Sequence, residues 1–348
     1  MKIPDKPRLI FWELTKRCNL ACSHCRAESE DIDYEGELSF EEIKRVIDDI
    51  TVVSRPIFVL TGGEPLYRSD IFDIASYLAS KDIRTALATN GTLIDKKIAQ
   101  SIRAAGISRV SVSIDGSDAL THDGFRGIPG SFDKAMRGAQ FLKDEGVAFQ
   151  FNVTITKRNI DQIDGILDFA VNNKAAALHI FMLVPVGCGV SIADTEMISA
   201  GEYEDVLNWF YDRSKNVQLE FKATCAPHYY RLIRQRASAE GRVLSMEQDG
   251  MAAMTRGCLA GSGVCFISHS GDVQPCGYLP LVAGNVLDLP FKEIWEKSEL
   301  FVSLRKPDLL TGKCGICSYR VVCGGCRARA YYATGGYLDE EPYCVHKP

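Results

Sequence analysis

Residues 9–25 read Leu9-Ile10-Phe11-Trp12-Glu13-Leu14-Thr15-Lys16-Arg17-Cys18-Asn19-Leu20-Ala21-Cys22-Ser23-His24-Cys25. The run Leu9–Leu14 has the length and apolar character of a buried strand. The loop behind it carries three cysteines spaced C-x3-C-x2-C. Three thiolates this close can fold round one iron–sulfur cubane and leave its fourth iron open to a small molecule. A zinc site using Cys18, Cys22, Cys25 and His24 is the rival reading. His24 adjoins Cys25 and is poorly placed to join the same tetrahedron, so the cubane is favoured.

Outward from this stretch, short apolar runs alternate with helix-length amphipathic segments. Further strands are expected at Ile57–Leu60, Thr85–Ala88, Arg109–Ile114, Ala148–Thr154 and Leu178–Leu183. Helical patterns lie between them near Ser39–Ile50, Asp70–Ser80, Asp95–Ala105, Ser131–Glu145 and Ile160–Val171. Ser39 with Glu42 three residues on reads as a capping box. Six strand–helix repeats imply an α/β fold with a parallel sheet that right-handed crossovers curl into a full or partial barrel. Chemistry in such folds sits at the C-terminal ends of the strands. After about residue 220 Gly, Cys and short strand-like pieces dominate, so residues 1–221 and 222–348 are expected as two domains. Arg234–Thr255 reads as a connector.

The chain has 348 residues, 46% hydrophobic and 24% charged, which suits a packed core and not disorder. A net charge of −5 argues against broad nucleic-acid binding. No secretory signal and no run long enough to span a bilayer is seen, and a cytoplasmic protein is expected. Thirteen cysteines, an odd number, are grouped: three at 18–25, eight from Cys258 to Cys344, with Cys188 and Cys225 apart. Metal ligation explains this grouping better than disulfides.

The C-x3-C-x2-C loop after a first strand resembles the radical S-adenosylmethionine (SAM) enzymes, in which SAM's amino and carboxylate groups bind the open iron. Other segments match in order: Thr61-Gly62-Gly63-Glu64-Pro65, Ala88-Thr89-Asn90-Gly91-Thr92 and Ser113-Ile114-Asp115-Gly116. The resemblance implies a partial (β/α)6 barrel and SAM contacts from Gly62, Gly63, Glu64, Asn90, Ser113 and Asp115. Asn152, Arg126 and the Val184-Pro185 loop are further candidates. Taken singly, Asn90-Gly91 and Asp115-Gly116 are ordinary turn pairs.

The C-terminal cysteines, with Cys314-x2-Cys317-x5-Cys323-x2-Cys326 at their centre, resemble the SPASM auxiliary-cluster domain. That implies a first auxiliary 4Fe-4S cluster on Cys258, Cys265, Cys276 and Cys326, and a second on Cys314, Cys317, Cys323 and Cys344. Without Cys265 the first would keep an open iron. Zinc ribbons are the alternative. Cys188 and Cys225 have no cluster partner and read as small buried residues, with Cys225 also a candidate for substrate contact.

Phe11–Cys18, His24–Ala27, Phe181–Gly187, Lys222–Arg231 and Cys323–Tyr331 are similar to the heme synthase family of the siroheme-dependent heme pathway. Related tetrapyrrole enzymes usually have Tyr where Arg26 stands. The resemblance implies oxidative decarboxylation of two propionates of iron-coproporphyrin III to vinyls, giving heme b. SAM would yield a 5'-deoxyadenosyl radical, an auxiliary cluster would accept an electron from the substrate, and a ferredoxin or flavodoxin would donate one. Lys222, Cys225, His228, Tyr229, Arg231, Arg327 and Arg329 are candidate substrate contacts, His228 through the substrate iron. A SPASM peptide maturase and a non-catalytic electron carrier are the rivals.

Overall fold

The computed structural model describes residues 3–249 and 251–348. Seven parallel strands run in sequence order: β1 (Leu9–Glu13), β2 (Ile57–Thr61), β3 (Thr85–Thr89), β4 (Arg109–Ser113), β5 (Phe149–Ile155), β6 (Ala177–Met182) and β7 (Glu220–Thr224). Six match the expected strands to within about two residues; β7 was not foreseen. The sheet does not close. β1 pairs instead with β8 (Val264–Ile267), which leads antiparallel into β9 (Asp272–Gln274) and β10 (Gly284–Asn285). One ten-stranded sheet thus runs through both expected domains, and the 221/222 boundary falls inside β7.

The crossovers are α1 (Phe40–Val53), α2 (Ile71–Ser80), α3 (Lys96–Ala104), α4 (Ala119–Arg126), α5 (Ser131–Asp144) and α6 (Ile163–Asn172). α1 starts at the capping box: Ser39 Oγ accepts from Glu42 N, and the Glu42 carboxylate accepts from Ser39 N at 2.8 Å. Its Ile43, Val46, Ile47 and Ile50 recur at helical spacing and are buried on the sheet. Each such side chain contributes about 1.5–3 kcal/mol of burial free energy. The expected connector is the end of a helix, His228–Ala239, then two short turns, Met246–Asp249 and Met251–Met254; Gly250 lies outside the described residues.

Side chains alternate between the faces of a strand. The register aligns Glu13 with Thr61, Ala88 with Ser111, Ser113 with Asn152, and Asn152 with His179. This face is small and polar. The other face carries Trp12, Leu60, Leu87, Val112 and Phe151 into the helix-covered core.

The turn after β2 docks against the stem of the cysteine loop. Gly63 N donates to Thr15 O at 2.8 Å, and Glu64 N donates to Arg17 O at 2.7 Å. A Cβ on Gly63 would lie 2.4 Å from Arg17 O, whereas one on Gly124, in α4, meets nothing within 4 Å. Gly63→Ala is therefore expected to destabilise by about 1–3 kcal/mol. Gly124→Ala should be neutral or stabilising by up to ~1 kcal/mol. Urea unfolding of the two variants beside wild type checks the contrast.

Candidate active site

The loops at the C-terminal ends of β1–β6 converge on a cleft of about 210 Å³. Cys18, Cys22 and Cys25 line it, together with Gly62, Gly63, Asn90, Ser113, Arg126 and Asn152. Each cysteine sulfur faces an N–H donor. Asn90 Nδ2 lies 3.8 Å from Cys18 Sγ, Arg126 Nη1 lies 3.7 Å from Cys22 Sγ, and Ser29 N lies 3.5 Å from Cys25 Sγ. Donors aimed at sulfur stabilise negative charge there and tune a cluster bound to it. Burial pushes the Cys18 thiol up to about 12. Its thiolate therefore needs a positive counter-charge, which iron supplies.

Behind these donors stands a buried carboxylate. Asp115 accepts from Thr154 N at 2.8 Å and pairs with Arg126 Nη2 at 2.5 Å. Burial alone would raise the Asp115 pKa; Arg126, His24 and His122 outweigh it and hold the carboxyl below the usual range. His24, also on the cleft wall, stacks on Phe125 with ring centroids 4.0 Å apart and lies 3.6 Å from Asp115. Burial lowers its pKa to about 4, so it is neutral.

Arg26 is the other cation of the cleft. It pairs with the buried Glu13, which also bonds His269 at 2.9 Å, and lies over the Phe266 ring at 4.4 Å. Tyr278, two residues beyond Cys276, brings the C-terminal segment into the cleft wall.

Cys314, Cys317, Cys323 and Cys344 line a second, small cavity. Backbone N–H groups of Glu341, Tyr319 and Gly325 lie 3.4 Å from the sulfurs of Cys314, Cys317 and Cys323. Cys258, Cys276 and Cys326 form a third group, mutual neighbours in a buried region. Among the described residues no three His, Cys, Asp or Glu side chains close round a single metal ion.

Residues 12–170 match the radical SAM superfamily, and residues 258–326 match the iron–sulfur cluster-binding SPASM domain. The AdoMet-dependent heme synthase of Methanosarcina barkeri is 50% identical over 99% of this chain and 98% of its own length. That of Nitratidesulfovibrio vulgaris is 51% identical over 98% and 93%. The chain belongs to the radical SAM–SPASM family that contains these heme synthases. Streptococcus suis SuiB bound to S-adenosylmethionine shares the fold, with TM-score 0.77 and 18% identity over 99% of this chain and 78% of that one.

As a radical SAM enzyme the chain carries 4Fe-4S clusters and uses SAM, and the thiolate groups with their N–H donors fit the clusters. The fold places the remaining expected site residues at different depths. Gly62 and Gly63 face the cleft, yet their missing side chains make room for the Thr15–Arg17 backbone. Glu64 is fully buried beneath it, accepting from Thr89 Oγ1 at 2.7 Å and Asn90 N at 2.8 Å; it positions Asn90. Asp115 likewise acts through Arg126. Cys265 is separated from the other cysteines: it pairs with Ile10 across β8 and β1 and is part of the hydrophobic core.

Of the expected substrate contacts, none lines the large cleft. Lys222 is exposed on the edge strand β7. Tyr229 packs edge-on against Phe210 at 5.3 Å. His228 and Arg231 line the second cavity, with Arg231 paired to Glu204 at 2.5 Å. Arg327 donates to the carbonyl of Asp339 at 2.7 Å and to Cys314 Sγ at 3.8 Å. Arg329 is buried against Glu341 at 3.1 Å. Glu341 and Tyr278 went unremarked in the sequence, where their only signal is proximity to Cys344 and Cys276.

Burial raises the Glu64 pKa from 4.5 to about 7, although Asn90, Thr89 and Leu66 donate to it. Between these pH values the folded chain holds a proton that the unfolded chain has lost. Stability therefore falls as pH rises through this window, by up to about 1.4 kcal/mol per unit. Glu64→Gln should flatten this part of the pH–stability curve measured by urea unfolding; an unchanged slope would reject the assignment.

Proposed function

We propose that the chain is an AdoMet-dependent heme synthase that converts two propionates of iron-coproporphyrin III to vinyl groups, giving heme b. One observation carries the reading. Identity is 50–52% to three heme synthases over nearly the whole chain. It falls to 33% for the Fe-coproporphyrin III synthase of Methanosarcina barkeri and for the mycofactocin maturase of Mycobacterium tuberculosis.

Cys18, Cys22 and Cys25 would hold the cluster, which when reduced would supply the electron for cleavage of SAM to methionine and a 5'-deoxyadenosyl radical. For each vinyl formed, one hydrogen atom leaves the β-carbon of a propionate. The bond to the carboxyl carbon then breaks, carbon dioxide departs, and the one electron left over would pass to an auxiliary cluster as one-electron acceptor. Ser113, Asn152 and Asn90 offer hydrogen bonds to SAM's polar groups on the β3–β5 side of the cleft. Arg26, whose Nη2 is held by Glu13, would offer the rest of its guanidinium edge to a propionate carboxylate, a group that arginine suits. The apolar faces of Phe181, Met182 and Leu183 form another wall, suited to a porphyrin edge.

Among the described residues no helix is long and apolar enough to cross a membrane. We assign the enzyme to the cytoplasm, with a ferredoxin or flavodoxin as electron donor, because SAM cleavage requires a low-potential one-electron source. Turnover with iron-coproporphyrin III deuterated at the propionate β-carbons tests the reaction. Deuterium should appear in 5'-deoxyadenosine; unlabelled 5'-deoxyadenosine beside unchanged porphyrin would contradict it.

A further inference from the structure

By sequence resemblance the first auxiliary cluster draws its fourth thiolate from Cys265, yet the fold carries that residue away. Cys265 sits in mid-strand on β8, in register with Ile10, with no exposed surface and with side-chain neighbours from the sheet core. The position near Cys258, Cys276 and Cys326 is taken by a cysteine from another part of the chain.

That cysteine is Cys225, which follows β7. With Cys276 it packs against a small apolar cluster that contains Cys326, Leu279 and Val184. The turn it begins abuts the segment carrying Cys258: a Cβ on Gly257 would lie 2.6 Å from Pro227 Cα. Cys326, Cys276 and Cys258 all lie near enough to Cys225 to interact with it electrostatically, whereas no cysteine stands in that relation to Cys265. The backbone at Cys225 has φ 54°, in the left-handed region that non-glycine residues seldom occupy. Two buried groups hold it there, since Arg329 Nη2 at 2.8 Å and Tyr203 Oη at 3.1 Å both donate to the Cys225 carbonyl. Strain of this kind persists where surrounding structure over-determines it, commonly at a functional position.

We propose that Cys225 is the fourth ligand of the first auxiliary 4Fe-4S cluster, with Cys258, Cys276 and Cys326, and that Cys265 is a core residue. Ligation breaks the Cys225 S–H bond, releases the proton to solvent and forms an Fe–S bond. Four thiolates leave this cluster no iron for substrate, which restricts it to carrying electrons. Tyr278 touches both this group's surroundings and the cleft, so the cluster would lie next to the substrate. The inference rests on the family's clusters and is independent of which tetrapyrrole is bound.

The test compares reconstituted wild type with Cys225→Ala, Cys225→Ser and Cys265→Val, by iron content and by electron paramagnetic resonance after dithionite reduction. Wild type should hold about twelve irons per chain, as three cubanes. Cys225→Ala should lose up to about four of these or alter one of the three reduced-cluster signals. Added 2-mercaptoethanol should move that altered signal back towards the wild-type one. Cys225→Ser, nearly isosteric, guards against loss of fold and should show the same signal shifted by oxygen ligation. Cys265→Val should keep the iron and every signal. Wild-type iron and signals in both Cys225 variants, or loss of one signal in Cys265→Val alone, would overturn the proposal.

Discussion

A thiolate buried away from water is costly unless a metal and hydrogen-bond donors meet it. The architecture follows from meeting that condition beside an open cleft. Asn90, Arg126 and the Ser29 backbone each serve one sulfur of the first cysteine loop. Each donor is itself held: Asn90 by Glu64, and Arg126 by Asp115. These carboxylates come from the ends of β2 and β4, so a parallel sheet with its strand ends side by side is what makes the arrangement possible. The outer layer of this support is buried more deeply than the residues that face the cleft.

The C-terminal segment is more than an appendage. β8 extends the main sheet by pairing with β1, the strand that leads into the cysteine loop. This pairing sets Phe266 under Arg26 and brings Tyr278 into the cleft wall. Around the auxiliary cysteines, Glu341 plays the part that Asp115 plays at the first site. Burial would raise its pKa, but Arg329 and His228 outweigh it and bring it down to about 2. As a carboxylate it accepts from Cys326 N at 2.8 Å and fixes the loop between two cysteine groups.

The six barrel strands and most crossover helices were legible because their signals are local: apolar runs, helical spacing and the Ser39–Glu42 cap. The first cysteine loop was legible for the same reason, its three ligands lying within eight residues. β7 was not, because Glu220-Phe221-Lys222-Ala223-Thr224 is an edge strand whose polar residues mask any apolar run. The placing of Cys225 and Cys265 also escaped the sequence. Proximity to Cys258 along the chain favours Cys265, but alternation on β8 turns its side chain into the core. The arginines of 222–231 and 327–329 read as carboxylate binders by type. Only the fold shows that Glu204, Glu341 and backbone carbonyls already engage Arg231, Arg329 and Arg327.

The most direct measurement is anaerobic turnover of the reconstituted protein with SAM, a reductant and iron-coproporphyrin III, followed by mass spectrometry of the porphyrin and quantification of 5'-deoxyadenosine. The account predicts two successive losses of carbon dioxide with two hydrogens, each matched by one 5'-deoxyadenosine, ending at heme b. SAM cleavage that leaves the porphyrin unchanged would contradict it.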